Sequence, residues 1–256
     1  ANVTVEDNVA PTAVCQDITV QLDGTGNIAI TPADVDNGSA DACGLEPLAA
    51  APLAFTCAET GANVVTLSVE DVNGNTAECT SNVTVEDTEN PIATCQDITV
   101  PLDATGNVAI LDTDVDGGSS DNCGFALAAA PLAFTCAELG ANNVTLTVTD
   151  DSGNTAECVA VVTVEDPEVP VAACQDITVQ LDANGDAAIV AAAVDGGSTD
   201  NCPLTLTATP LAFTCADVAA PVVVTLTATD GAGNAADCTA NVTVEDNVAP
   251  TAVCQD

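Results

Sequence analysis

The chain has 256 residues, with 39 acidic side chains and no Lys, Arg or His, for a formal net charge of −39. No side-chain salt bridge can form within it, it offers no cation to nucleic-acid phosphates or anionic lipid, and no His or Lys stands ready to activate a nucleophile. Hydrophobic residues reach 47% but aromatics only 2%, so a core of Ala and Val is thin and a small unit needs reinforcement.

The chain opens on ANVTVEDNVAPTAVCQD, and the same phrase returns from Ala240 to Asp256. TVED begins at Thr4, Thr84, Thr163 and Thr243; CQD begins at Cys15, Cys95, Cys174 and Cys254. Self-similarity at a fixed period marks a tandem array, and identical ends suggest a window of a longer polymer. Within the first period, residues 13–22, 27–31, 62–69 and 77–85 are short, rich in Val, Ile and Thr, and close to period two, as strands are. Turn chemistry separates them: Asp23, Gly24, Gly26 and Asn27; then Asp36, Asn37 and Gly38; then Asn73, Gly74 and Asn75. About seven strands per repeat of roughly 80 residues fits a β-sandwich, and no segment carries a sustained helical period. The fold class is all-β. Pro11, Pro91, Pro170 and Pro250 follow the VED blocks and suit stiff junctions. The units are therefore placed at 11–90, 91–169 and 170–249. Residues 1–10 end a preceding repeat, and 250–256 begin a following one. No stretch is long and apolar enough for a membrane helix.

Each unit carries four cysteines: Cys15, Cys43, Cys57 and Cys79; Cys95, Cys123, Cys136 and Cys158; Cys174, Cys202, Cys215 and Cys238. Without His or a CxxC pair, they read as a disulfide framework of an oxidising compartment rather than a zinc site. Four cysteines allow three pairings. Cys15 lies in the first strand and Cys79 in the last, which can be neighbours in a sandwich. We therefore expect Cys15–Cys79 with Cys43–Cys57, and by repetition Cys95–Cys158, Cys123–Cys136, Cys174–Cys238 and Cys202–Cys215. A bond closing the longer loops is worth roughly 3–4 kcal/mol in the chain-entropy model.

Three acidic clusters recur. The junction holds Glu6 and Asp7, then Glu86 and Asp87, then Glu165 and Asp166, then Glu245 and Asp246. The loop after the second strand holds Asp34, Asp36 and Asp41, then Asp114, Asp116 and Asp121, then Asp195 and Asp200. The last hairpin holds Asp71, Asp150 and Asp230. Ca²⁺ takes six to eight oxygens with tolerant geometry, and Asp-rich turns at a domain end offer them. The plainer reading is of turn formers on a solvated face, screened by salt.

The run APTAVCQDITVQLD, the block D-x-x-G-N-x-x-x-C (Asp71 to Cys79, Asp150 to Cys158, Asp230 to Cys238) and the closing VTVED resemble the hyalin-repeat (HYR) family. The likeness is to its four-cysteine form in surface proteins and gliding adhesins of Bacteroidota. The resemblance covers the chain three times over. It implies an immunoglobulin-like sandwich used in adhesion or as a stalk, not in catalysis. Paired carboxylates could serve glycoside hydrolysis, but here they repeat identically in turns without an aromatic sugar platform. The sequence thus points to an extracellular, disulfide-stapled, calcium-stabilised rod or filament, on the order of 100 Å long if three units of ten-residue strands stack end to end, and the resemblance implies that it stands on a bacterial cell surface. Its partners would be adjacent repeats of the same polymer and laterally associated copies. The alternatives are a multivalent carbohydrate- or surface-binding array and a spacer within a larger secreted enzyme.

Overall fold

A computed structural model describes residues 1–250 and 252; Cys254 and its CQD block lie outside the described residues. The chain forms two compact units. The first comprises residues 1–96, 115–130 and 145–159, and the second residues 97–114, 131–144 and 160–256. The middle sequence repeat thus contributes to both.

In the first unit six strands build a sandwich: β1 (Ile18–Gln21), β2 (Asn27–Ala29), β3 (Ala49–Ala51), β4 (Ala54–Thr56), β5 (Gly61–Glu70) and β6 (Thr76–Glu86). One sheet runs β1-β6-β5-β3 and the other pairs β2 with β4. β5 and β6 are antiparallel, with Leu67 opposite Cys79, whereas β1 lies parallel to β6, with Ile18 opposite Val83. Period-two patterning dictates this: Val65, Leu67 and Val69 of β5 alternate inward and are fully buried. They meet Val83 and Val85 of β6 and Phe55 of β4 across the sandwich. Phe55 is the one aromatic plug of this core, and its truncation to Ala would cost about 3–5 kcal/mol.

The expected first strand, 13–22, is not continuous. Its first half makes only isolated bridges, Thr12 to Ala40 and Cys15 to Asp36, and β1 begins at Ile18. The break follows from Asp17, whose carboxylate accepts the Asn82 N–H at 2.7 Å, while the Gln16 carbonyl accepts the Ser81 hydroxyl at 2.6 Å. These bonds hold Gln16 and Asp17 against β6 just before β1 begins. Two short elements escaped the sequence pattern, β3 and β4, because Ala-rich residues flanking Pro52 carry no β-branched signal. A single helical turn, α1 (Pro32–Val35), follows β2 and presents Val35 to the core.

The middle repeat supplies β7 (Ile98–Pro101), β8 (Asn107–Ala109), β9 (Phe125–Ala130), β10 (Ala133–Thr135), β11 (Gly140–Asp150) and β12 (Thr155–Glu165). Within the first unit, residues 125–130 pair antiparallel with 145–150. Within the second, β7 runs parallel to the end of β12, and β8 pairs with β10. The third repeat, in the second unit, repeats the first with β13 (Ile177–Gln180), β14 (Asp186–Ala188), β15 (Thr205–Thr209), β16 (Ala212–Thr214), β17 (Val222–Thr229) and β18 (Ala235–Glu245). One sheet is ordered β13-β18-β17-β15 and the other pairs β14 with β16 around a core of Phe213, Val224, Leu226 and Val242. The fold is all-β, in tandem β-sandwiches.

Candidate functional site

The disulfides organise the chemistry. Cys15 is bonded to Cys79, Cys95 to Cys158 and Cys174 to Cys238, each with Cα atoms 5.8 Å apart. These bonds tie the chain just before the first strand of a sequence repeat to its last strand. The remaining bonds cross repeats: Cys57 joins Cys123, and Cys136 joins Cys202. The expected pairs Cys43–Cys57, Cys123–Cys136 and Cys202–Cys215 are not made. Cys43 and Cys215 are the free cysteines among the described residues, and both are exposed.

The physical reason is position. Cys43 sits with Asp7 and within the field of Asp71, at the end of the first sandwich that carries the 71–75 hairpin. Cys57 follows β4 at the other hairpin, with its sulfur 3.7 Å from the Gly26 carbonyl. Two cysteines at opposite ends of one sandwich cannot pair, and Cys57 instead meets Cys123 of the next repeat.

Gly26 makes that approach possible. It holds φ +72°, and a Cβ there would lie 2.6 Å from the Cys57 sulfur and 2.7 Å from the Asn122 carbonyl. In the second unit Gly106 does the same for Cys136 and Asn201 (φ +72°; 2.7 and 2.6 Å). In the sequence Gly26 and Gly106 read as turn formers, and the one further signal is their return at the repeat period, 31 and 30 residues before Cys57 and Cys136.

Around each crossing disulfide lies an acidic joint. In the first unit the Asn122 side-chain amide donates to the Asp23 carbonyl and to Asp87 Oδ1, both at 3.2 Å. Asp121 Oδ2 accepts the Cys123 N–H at 2.9 Å, and the Asn154 amide donates to the carbonyls of Asp87 and Glu89, both at 3.1 Å. A carboxylate oxygen of Asp87, one of Asp121 and the Cys123 sulfur lie within 4.8 Å of one another. Three buried oxygens there have no hydrogen-bond partner: Asp87 Oδ2, Asp121 Oδ1 and Asn122 Oδ1. Two carboxylates this close repel by on the order of 3 kcal/mol at an effective dielectric of ~20, and a buried acceptor without a donor adds a desolvation penalty.

The second unit repeats the arrangement. Asn201 donates to the Asp103 carbonyl and to Asp166 Oδ1, both at 3.1 Å, and Asp200 Oδ2 accepts the Cys202 N–H at 3.1 Å. Asp166 Oδ2 and Asn201 Oδ1 are left buried and unpartnered.

The other acids named from sequence serve local structure. Asp71 Oδ1 accepts the N–H groups of Asn73 and Asn75, and its Oδ2 accepts the Asn75 amide at 2.7 Å. Asp150 and Asp230 repeat this with Asn154 and Asn234. Asp34 accepts from the Thr31 N–H and hydroxyl, and Asp114 from the Leu111 N–H. Asp36, Asp116 and Asp195 accept from Ser39, Ser119 and Ser198. The serine hydroxyls are the largest cause holding these three carboxyls below the ordinary Asp value. Glu86 and Glu245 accept from Gln21 and Gln180, and Asp246 from the Val248 N–H, while Glu6 and Glu165 are exposed. The structure thus draws Asp87 and Asp121, from two separate clusters of the sequence, into one place.

No protein-family model matches the chain, and no curated protein is similar to it. Solved structures similar to it include titin domains I67–I69 as an E-to-A mutated variant (10% identity, TM-score 0.36, 93% of this chain and 99% of that one). Protocadherin gamma B7 extracellular cadherin domains 1–4 give 13%, 0.34, 92% and 76%. Mouse cadherin-23 EC22–24 gives 15%, 0.34, 93% and 99%.

Proposed function

We propose that this chain is a load-bearing stretch of an extracellular structural and adhesive repeat array, stiffened at its joints by disulfides and calcium. The observation that carries the proposal is the overlap of its disulfide loops. Cys15–Cys79, Cys57–Cys123, Cys95–Cys158, Cys136–Cys202 and Cys174–Cys238 each begin before the previous one closes. Every residue between Cys15 and Cys238 lies inside at least one covalent loop, so no single backbone cut in that span divides the chain. Such bonds persist in an oxidising, extracellular setting. The resemblance of the repeat motifs to hyalin repeats supports a bacterial cell surface as that setting. With 39 acidic side chains and no basic one, self-repulsion keeps the array soluble and counter-cations relieve it.

Cys215 supports an array of adjacent repeats. Its sulfur lies 3.7 Å from the Gly185 carbonyl and 2.5 Å from the place of a Gly185 Cβ, the pose of Cys57 at Gly26 and of Cys136 at Gly106. It offers the same half-joint to a neighbouring repeat.

Pulling single molecules from anchors before Cys15 and after Cys238 tests the proposal. When the sandwiches open, the shortest covalent path runs from Cys79 back to Cys57, from Cys123 on to Cys136 and from Cys202 back to Cys174, and crosses disulfides elsewhere. That is roughly 60 residues, on the order of 200 Å at ~3.3–3.6 Å each. Extension should stop there and rise more than threefold after reduction. Extension to the full chain length without reductant would refute the load-bearing reading.

A further inference from the structure

We propose that each crossing disulfide flanks a calcium site, made in the first unit by Asp87, Asp121 and Asn122 and in the second by Asp166, Asp200 and Asn201. The inference deepens the joint reading above and rests on it, since the ligands come from two sequence repeats. The Asp87 and Asp166 side chains are each only 6% exposed, and each has one oxygen, Oδ2, with no hydrogen-bond partner. In both joints the neighbouring Asn turns its NH₂ to a carbonyl and to the other carboxylate oxygen, leaving its own Oδ1 buried and unpartnered. Anionic and amide oxygens with no donor left to receive are what a cation satisfies.

The donor set selects the ion. Cys123 and Cys202 are consumed in disulfides, so no thiolate is offered and the sites present oxygen only. Two carboxylates and an amide on irregular loops, completed by water, fit Ca²⁺, which accepts six to eight oxygens in tolerant geometry; Mg²⁺ demands a near-ideal octahedron. The chain contains its own contrast. In the equivalent loop of the first repeat the sequence reads Asp41-Ala42-Cys43, against Asp121-Asn122-Cys123 and Asp200-Asn201-Cys202. The cluster of Asp7, Asp41 and Cys43 has no buried unpartnered oxygen, and it is not part of the proposal.

Equilibrium dialysis of the oxidised full chain against calcium in a sodium chloride background tests this. Diffuse counter-ion binding is removed by taking differences between variants. Wild type should bind two more ions than the Asn122→Ala/Asn201→Ala double variant, with half-saturation in the extracellular range of roughly 10⁻⁴–10⁻³ M. Each single variant should lose one. Ala is a residue the chain itself carries at position 42, and Asp121→Asn with Asp200→Asn gives a second pair that keeps the loop's shape. An unchanged ion count in both double variants, or equal occupancy by magnesium at equal concentration, overturns the proposal. Disulfide mapping of the same samples separates the causes: intact Cys57–Cys123 and Cys136–Cys202 bonds with no calcium difference sink the cation sites alone, whereas absent bonds sink the joint reading with them.

Discussion

The loops at 41–43 and 121–123 occupy the same position in consecutive repeats, and both hold an Asp, a Cys and a junction aspartate within 4.8 Å. At 121–123 the cysteine is bonded to Cys57, the junction residue Asp87 is buried and Asn122 bridges to Asp23. At 41–43 the cysteine is free and exposed, Asp7 is only partly buried, and Ala42 can bridge nothing. The Cys43 thiol hydrogen-bonds the Asp7 carboxylate, which pushes the thiol up and holds the carboxyl below its usual range. The crossing bonds span 66 residues, and the chain holds no cysteine 66 residues before Cys43; the 41–43 loop therefore shows the acidic motif without its partner hairpin, and the 121–123 loop shows it with that hairpin in place. The motif alone does not make the site; a second repeat's hairpin, glycine and cysteine complete it.

The largest difference should appear on removing the sulfurs. Cys123→Ser opens a loop of 66 residues and should cost about 4 kcal/mol on the chain-entropy account; Cys43→Ser should stay within about 0.5 kcal/mol. Denaturant midpoints of the two variants read this directly, and equal losses would erase the distinction between joint and open loop.

Next comes the glycine. Gly26→Ala places a Cβ against the Cys57 sulfur and the Asn122 carbonyl at a positive φ, and should destabilise by about 1–3 kcal/mol. Gly38→Ala, also at positive φ (+91°) but with nothing within 4 Å, should lose only about 1 kcal/mol. Thermal melts of the pair separate backbone strain from the joint's close approach.

Acid should act on both loops alike. The Asp36, Asp116 and Asp195 carboxyls are held below the ordinary value of 3.8, first by the Ser39, Ser119 and Ser198 hydroxyls. A lowered folded value favours the ionised native form. The stability it supplies is complete above about pH 4 and lost as pH falls through the lowered values. Urea midpoints should fall below pH 4, and less so in a Ser39→Ala/Ser119→Ala/Ser198→Ala variant. The smallest effect belongs to the open loop. Asp7→Asn should speed alkylation of Cys43 several-fold near pH 8, because the carboxylate that disfavours its thiolate is gone; an unchanged rate would remove the Asp7–Cys43 contact from the account.

The long strands β5 and β6 were legible in the sequence because Val65, Leu67 and Val69, and then Val83 and Val85, alternate with polar residues. The break at Gln16 and Asp17 was not, since hydrogen bonds to Ser81 and Asn82 decide it and those partners are remote in sequence. Cys15 with Cys79 could be guessed from strand ends. Cys57 with Cys123 could not, because reading each repeat as a self-contained unit hides bonds that cross between repeats. The same assumption separated Asp87 from Asp121 into different clusters, although the fold brings both to one disulfide. Turn acids such as Asp71 looked like ligands for an equally physical reason: Asp, Asn and Gly build a hairpin and a metal loop from the same residues.

The central claim is that the repeats are bonded across their joints. Trypsin has no Lys or Arg to cut at, so the unreduced, alkylated chain should be digested at its acidic residues and its linked peptides identified by mass. The account predicts Cys57 with Cys123 and Cys136 with Cys202, with the alkyl group on Cys43 and Cys215. Finding Cys43 linked to Cys57, or Cys123 to Cys136, would contradict it.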